Sequence, residues 1–245
     1  MNPIKTNPSK IFLTAEWRYL AMLNYEVNPT AFAPFVPAGT ELDFWNGKTY
    51  ISLVGFLFQK TCICGIPIPF HRHFEEINLR FYVRRKADNG WRRGVVFLKE
   101  LVPRKAIAFI ARAFYNENYV ALPMSHRIEK FQAEIKSASY FWRFNGLENY
   151  LKVITRGQAQ LLLDGSLQAF ITEHYWGYAR QRDGSTMEYA IEHPRWRIWE
   201  AQTAEFNCHA AGLYGESFCK FLNRPPSSAF LADGSDIKVH KGIRI

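Results

Sequence analysis

No stretch of the sequence is long and apolar enough for a membrane helix. The two longest apolar runs, Ile51 to Phe58 and Ala106 to Tyr115, fall short of the roughly 20 residues a bilayer span needs, and Arg112 interrupts the second. A membrane partner is not expected. Cysteine is scarce, four in 245 residues, and Met1-Asn2-Pro3-Ile4-Lys5 opens no apolar leader followed by a small-residue cleavage site. Both features suit a reducing compartment better than a disulfide scaffold, so the cytoplasm is the expected location. Gly-x-Gly-x-x-Gly, Walker-loop and Gly-x-Ser-x-Gly patterns are missing too, which disfavours nucleotide-dependent chemistry and leaves no cofactor to expect. Acidic residues are outnumbered 22 to 31, a net charge of +9. Glu192-His193-Pro194-Arg195-Trp196-Arg197-Ile198-Trp199 joins basic and aromatic residues, as a nucleic-acid surface does. The other basic residues are scattered and no zinc-finger, helix-turn-helix or RNA-recognition signature accompanies them, so nucleic acid is not expected.

What the chain does have is core material: 48% hydrophobic and 16% aromatic residues, enough to exclude global disorder. Residues 1–15, interrupted by Pro3 and Pro8, read as a lead-in, and residues 16–245 as one domain, because no repeat or low-complexity run divides them. Glu16 to Val27 reads as a strand with a helical or irregular start, and Asn28-Pro29 caps a short helix that Pro34 and Pro37 close. Glu41 to Phe44 and Thr49 to Gln59 read as strands joined across Asn46-Gly47, and Phe74 to Arg85 and Gly94 to Leu101 as strands joined across Asp88-Asn89-Gly90. Arg104 to Asn116 has helical spacing of Ala106, Ile107, Ile110, Ala111, Phe114 and Tyr115. Beyond it, Arg127 to Ala133, Ala138 to Phe144, Gln168 to Tyr178, Glu188 to Trp199 and Asp236 to His240 have β character. Asn145-Gly146, Asp164-Gly165, Asp183-Gly184 and Asp233-Gly234 supply turns, and Leu147 to Ile154 and Gly215 to Asn223 are helical candidates. Many short strands and few helices predict a mainly β, α+β fold: a barrel or a strongly bent sheet.

Phe74-Glu75-Glu76-Ile77-Asn78-Leu79-Arg80-Phe81-Tyr82-Val83 holds the most informative pattern. On a strand Glu76, Asn78, Arg80 and Tyr82 share one face, and Ile77, Leu79, Phe81 and Val83 the other. The apolar face is core. The polar face meets either solvent or, in a small barrel, an interior cavity where carboxylate, amide, guanidinium and phenol form a ligand site. Pro103-Arg104-Lys105 places two cations near a helix start, where the macrodipole favours anions. They are either solvated side chains, an anion site, or a lysine whose pKa is lowered by its neighbour for Schiff-base chemistry. Cys62-Ile63-Cys64 and His71-Arg72-His73 each leave one residue between the two side chains, where the usual zinc pairs leave two or more, so no metal is expected. Cys208-His209 lacks a third triad member. Thr172, His174, Trp176 and Tyr178 share one face of a predicted strand, either as packing or with His174 orienting a carbonyl or carboxylate.

The runs Ala21 to Val27, Leu53 to Phe58, Ile66 to His71, Phe74 to Arg80, Tyr115-Asn116-Glu117 and Thr172 to Tyr178 resemble a bacterial family catalogued as a domain of unknown function, over nearly the whole chain. That family is similar in fold to acetoacetate decarboxylase. The resemblance implies a single-domain, cone-shaped, mainly antiparallel β-barrel with flanking helices and a central cavity, and it permits a homo-oligomer. In the decarboxylase a Pro-Lys-Lys segment supplies the Schiff-base lysine and its helper. Here Arg104 stands at the first position and Lys105 at the second, and a guanidinium cannot form an imine. The decarboxylase also has a cavity glutamate after an aromatic residue, which Phe74-Glu75-Glu76 matches, and this favours the cavity reading of Glu76, Asn78 and Arg80. Two functions follow. One is binding of a small anionic or carbonyl metabolite between Arg80, Arg104 and His174, with Asn78 and Tyr82 in the site and Glu76 as acceptor or base. The other is a Schiff-base lyase, a decarboxylase or aldolase-dehydratase of a keto acid, acting through Lys105.

Overall fold

A computed structural model describes residues 10–104, 116 and 118–245. The strands are β1 (Ile11–Val27), β2 (Glu41–Leu42), β3 (Thr49–Ile63), β4 (Ile66–Pro67), β5 (Phe74–Ala87), β6 (Gly90–Val102), β7 (Tyr119–Ala121) and β8 (Met124–Phe131). After them come β9 (Glu134–Phe144), β10 (Leu147–Leu161), β11 (Trp176–Arg180), β12 (Thr186–Glu192), β13 (Arg197–Asn207), β14 (Ser228–His240) and β15 (Ile243–Arg244). Three short helices, α1 (Leu167–Thr172), α2 (Ala210–Tyr214) and α3 (Glu216–Leu222), and a 3-10 turn at Pro29–Phe32 complete the described elements.

Strands β12, β11, β6, β5, β3, β1 and β14 pair in that order, and β14 pairs back with β12, which closes a ring. Its pairings are antiparallel except the two-rung parallel contact of β6 with β11. The fold is the mainly β barrel that the resemblance implies. From β14 the sheet continues outward through β13, β10, β9 and β8. This second sheet folds back over the barrel, and the cluster between the two layers joins Leu53, Ile77 and Leu79 of the barrel with Tyr140, Leu151 and Val153. Gly55 permits the approach: a Cβ there would lie 2.7 Å from the Tyr140 ring. A second cluster, with Met22, Val54, Phe56, Tyr82 and Phe230, fills the barrel interior.

Two bulges decide what the interior receives. In β1 the register shifts between Arg18 and Ala21, where Tyr19 has φ 57°, so the alternation resets and both Trp17 and Leu20 face inward. In β6 the shift lies opposite Leu79 and Arg80, and Phe97 and Glu100 both line the interior. Gly234, at φ 80° and opposite Arg18, lets β14 lie close against β1, because a Cβ there would run into the Trp17 carbonyl oxygen.

Several local expectations change. The first strand begins at Ile11, so residues 11–15 are paired and not a loose lead-in. The Asn46-Gly47 turn forms, but only around the Trp45 and Lys48 bridge, and β2 pairs with Val83 and Arg84 of β5 in place of β3. Leu147 to Ile154 is strand, not helix, because Asn149, Leu151, Val153 and Thr155 bury alternate positions against the barrel. Asp233-Gly234 lies within β14 and ends no strand. Gln168 to Tyr178 divides: Ser166 caps α1 by accepting from the Ala169 N–H, and strand resumes only at Trp176. Glu188 to Trp199 likewise breaks between β12 and β13. The helix expected over Arg104 to Asn116 falls almost wholly outside the described residues, as does Lys105.

Candidate functional site

Period-two alternation turns Glu76, Asn78, Arg80 and Tyr82 of β5 into the barrel, and all four are buried. Glu76, Asn78 and Arg80 line a cavity of about 160 Å³, together with Glu100 and aromatic residues of β1, β3 and β6. The connection from β3 to β5 adds Ile68 and His71 to its walls.

Glu76 accepts from the Asn78 amide at 3.2 Å on one oxygen and from the Tyr119 hydroxyl at 3.2 Å on the other. Burial pushes its carboxyl up to about 7, against the pull of those two hydrogen bonds and of the Arg80 charge. Because the Asn78 amide nitrogen is turned to Glu76, its Oδ1 is left buried without a hydrogen-bond partner among the described residues. Arg80 is only 8% exposed. Its Nε is buried and also unpartnered among the described residues. Glu100 lies opposite Asn78 in the β5–β6 register.

Tyr82 has a different task. Ser52 donates its hydroxyl proton to Asn24 Oδ1 at 2.6 Å, so in the 2.5 Å contact with Tyr82 the phenol is the donor. Asn24 in turn donates to Ser228 Oγ at 3.1 Å. The chain crosses four barrel strands and commits the Tyr82 proton to the wall. On its other side the Tyr82 ring meets His174, centroids 4.7 Å apart.

His174 reaches the interior from the segment after α1, not from a strand. Its Nε2 contacts Asp43 Oδ2 at 3.1 Å, and Arg93 Nε donates to the same oxygen at 2.6 Å. Burial lowers the imidazole to about 4, so it is neutral at pH 7. Burial alone would raise Asp43, but His174 and Arg93 together hold its carboxyl low. An ionised Asp43 beside a neutral His174 assigns the proton to Nε2 and leaves the buried Nδ1 an acceptor with no partner among the described residues.

The structure therefore brings Glu76, Asn78 and Arg80 together around one space, with Tyr82 and His174 packed as a neighbouring group outside the cavity lining. Arg104 is not with them. It is exposed, and its charge acts on Glu75, whose side chain belongs to the opposite face of β5. Among the described residues no three His, Cys, Asp or Glu side chains gather as a metal site; His71 Nδ1 contacts the Pro69 carbonyl at 2.8 Å, and Cys64 is exposed. Burial raises the Cys208 thiol to about 12, far from a nucleophile's range. Glu100, Tyr119, Asp43 and Arg93 escape sequence reasoning. Glu100 is hidden by the β6 bulge, and Asp43 carries no local signal.

The model of the DUF2071 family, described as an uncharacterized conserved protein, matches residues 14–236. The uncharacterized protein YqjF of Bacillus subtilis (strain 168) is 28% identical over 192 residues, 77% of this chain and 74% of that protein. Among solved structures, the enduracididine biosynthesis enzyme MppR complexed with pyruvate superposes with a TM-score of 0.69 at 12% identity, over 99% of this chain and 93% of that one. Acetoacetate decarboxylase from Legionella pneumophila subsp. pneumophila str. Philadelphia 1 gives 0.65 at 12% identity, over 100% and 92%. An acetoacetate decarboxylase-like enzyme from Sphingomonas wittichii RW1 gives 0.68 at 10% identity, over 96% and 93%. At these identities the likeness establishes a shared fold.

Proposed function

The chain belongs to the DUF2071 family, and from that premise we propose that it binds a small carboxylate or carbonyl metabolite inside the barrel, with Arg80 as the anchor. The observation that carries this reading is Arg80 itself, a buried guanidinium at a cavity wall whose Nε has no partner among the described residues. Leaving a buried guanidinium donor without a hydrogen bond costs about 1–3 kcal/mol or more. A carboxylate ligand removes that cost and offers two oxygens to a planar fork of donors. Glu76, raised to about 7, is poised to exchange a proton with the bound molecule. The fold neighbour MppR was solved with pyruvate, which makes a keto acid the first ligand to try.

Arg104 replaces the lysine that the decarboxylase uses, so imine-dependent decarboxylation at that position is not available to this chain. Titration calorimetry with pyruvate and acetoacetate tests the binding. At least one is expected to bind, and Arg80→Met is expected to weaken it tenfold or more. Unchanged affinity in a folded Arg80→Met variant would overturn the assignment of the anchor.

A Schiff-base lyase acting through Lys105 is the second reading. It rests on the sequence, where Lys105 follows Pro103-Arg104 at the end of β6. Borohydride reduction in the presence of pyruvate, followed by mass spectrometry, separates the two. An adduct on Lys105 favours the lyase; no adduct on any lysine with pyruvate bound leaves the binding function alone.

A further inference from the structure

We infer that the acid held by Arg80 carries a bulky apolar or aromatic tail and is not a two- to four-carbon acid. This rests on the proposed anchoring role of Arg80. The carboxylates, guanidinium and amide of the cavity, Glu76, Glu100, Arg80 and Asn78, all come from two adjacent strands, β5 and β6. The remaining strands contribute chiefly hydrocarbon and ring surface, with Thr61, whose buried Oγ1 has no partner among the described residues, and Tyr189 and Tyr119 as the polar exceptions. Trp17 stands edge-on to Phe56 and Phe58 with centroids 5.6 and 6.0 Å away, and Phe58 stacks on Phe74 at 4.7 Å. These four rings form a continuous wall, and Ile191 and Phe97 extend the apolar lining.

A carboxylate seated on Arg80 directs the rest of its molecule among these faces. The cavity, about 160 Å³, is roomy enough for several waters. Water beside such a wall finds few polar partners, and an empty space forfeits dispersion contacts. A short acid leaves one or the other. An apolar tail fills the space and leaves water, and a ring gains edge-to-face contacts with the wall as well. The polar groups then set which end of the molecule is held, and the rings set how long it is.

The test is the affinity of the full chain for pyruvate, 2-oxobutanoate, 2-oxohexanoate and phenylpyruvate, measured by calorimetry at one pH and salt concentration. Each added methylene is expected to tighten binding about three- to fourfold, with phenylpyruvate at least tenfold tighter than pyruvate. Phe56→Leu, which keeps the wall apolar, is expected to lower the ratio of phenylpyruvate to pyruvate affinity. If pyruvate binds and affinity is flat or falls along the series, this inference is overturned while the anchoring role of Arg80 stands. If none of the four acids binds, the anchoring role falls and this inference falls with it. The wild-type series decides the matter even if the variant does not fold.

Discussion

Glu76 and Arg80 face inward from the same strand, four residues apart, and the guanidinium draws on the carboxyl's proton through space without neutralising it by a direct hydrogen bond. Glu76 is instead tied to the neutral donors Asn78 and Tyr119. The cavity thus holds an acid with a proton affinity near neutrality next to a cation that lacks a bound counter-ion among the described residues.

The first consequence concerns stability. A buried guanidinium whose Nε has no partner among the described residues is a burden on the ligand-free protein, so Arg80→Met is expected to raise its stability by about 1–3 kcal/mol and to remove the proposed binding. Urea unfolding measures it. A less stable variant would mean that Arg80 is compensated in the free protein.

The pH profile near neutrality is set by large shifts in two opposite directions, Glu76 raised and the buried imidazoles of His174 and His193 lowered. The carboxyl of Glu76 is raised from 4.5 to about 7, so the folded state holds that proton more tightly, and this contribution to stability falls as pH rises from 4.5 to 7. His174 is lowered from 6.5 to about 4, so the unfolded state binds its proton more tightly, and this contribution rises from pH 4 to 6.5. Between pH 4.5 and 6.5 the two oppose. Thermal melts of Glu76→Gln are expected to show stability climbing through that window more steeply than in the wild type; a slope unchanged or reversed would count against the assignment for Glu76.

The hydrogen-bond chain through the barrel predicts an order of costs. Ser52→Ala strands both the Tyr82 hydroxyl and Asn24 Oδ1, whereas Tyr82→Phe removes only the end of the chain. The expected losses are roughly 2–4 and about 1 kcal/mol. Equal losses, read from denaturant midpoints, would show that the chain is not acting as a unit.

Two glycines with similar backbone angles should differ sharply. Gly39 at φ 77° faces open space, so Gly39→Ala costs only the left-handed backbone, about 1–2 kcal/mol. Gly234 at φ 80° adds the clash with the Trp17 carbonyl, and Gly234→Ala is expected to cost about 3 kcal/mol or more. Comparable melting temperatures would contradict the close approach of β14 to β1 at Gly234.

Where strands run without interruption, sequence reasoning reaches the site: alternation alone places Glu76, Asn78, Arg80 and Tyr82 on one face, and the closed ring turns that face inward. It stops at the bulges. Counting by twos from Phe97 puts Glu100 on the wrong face, and counting from Trp17 does the same to Leu20, because one extra residue in each strand resets the phase. Cap chemistry at Ser166 outweighs the aromatic alternation that makes His174 look like a strand residue. Asp43 meets His174 and Arg93 only through tertiary contact across 131 and 50 residues, a distance no local pattern spans.

The bulge at Tyr19 is also held from outside. The Tyr140 hydroxyl of the outer sheet donates to the Tyr19 carbonyl at 2.7 Å, and the Tyr140 ring lies over Gly55. Neither Tyr140 nor Gly55 lines the cavity, yet together they brace the kink that aims Trp17 and Leu20 into it. The shape of this cavity is therefore open to drift in a layer that does not line it: an altered brace re-aims two wall residues at once, with every cavity side chain unchanged.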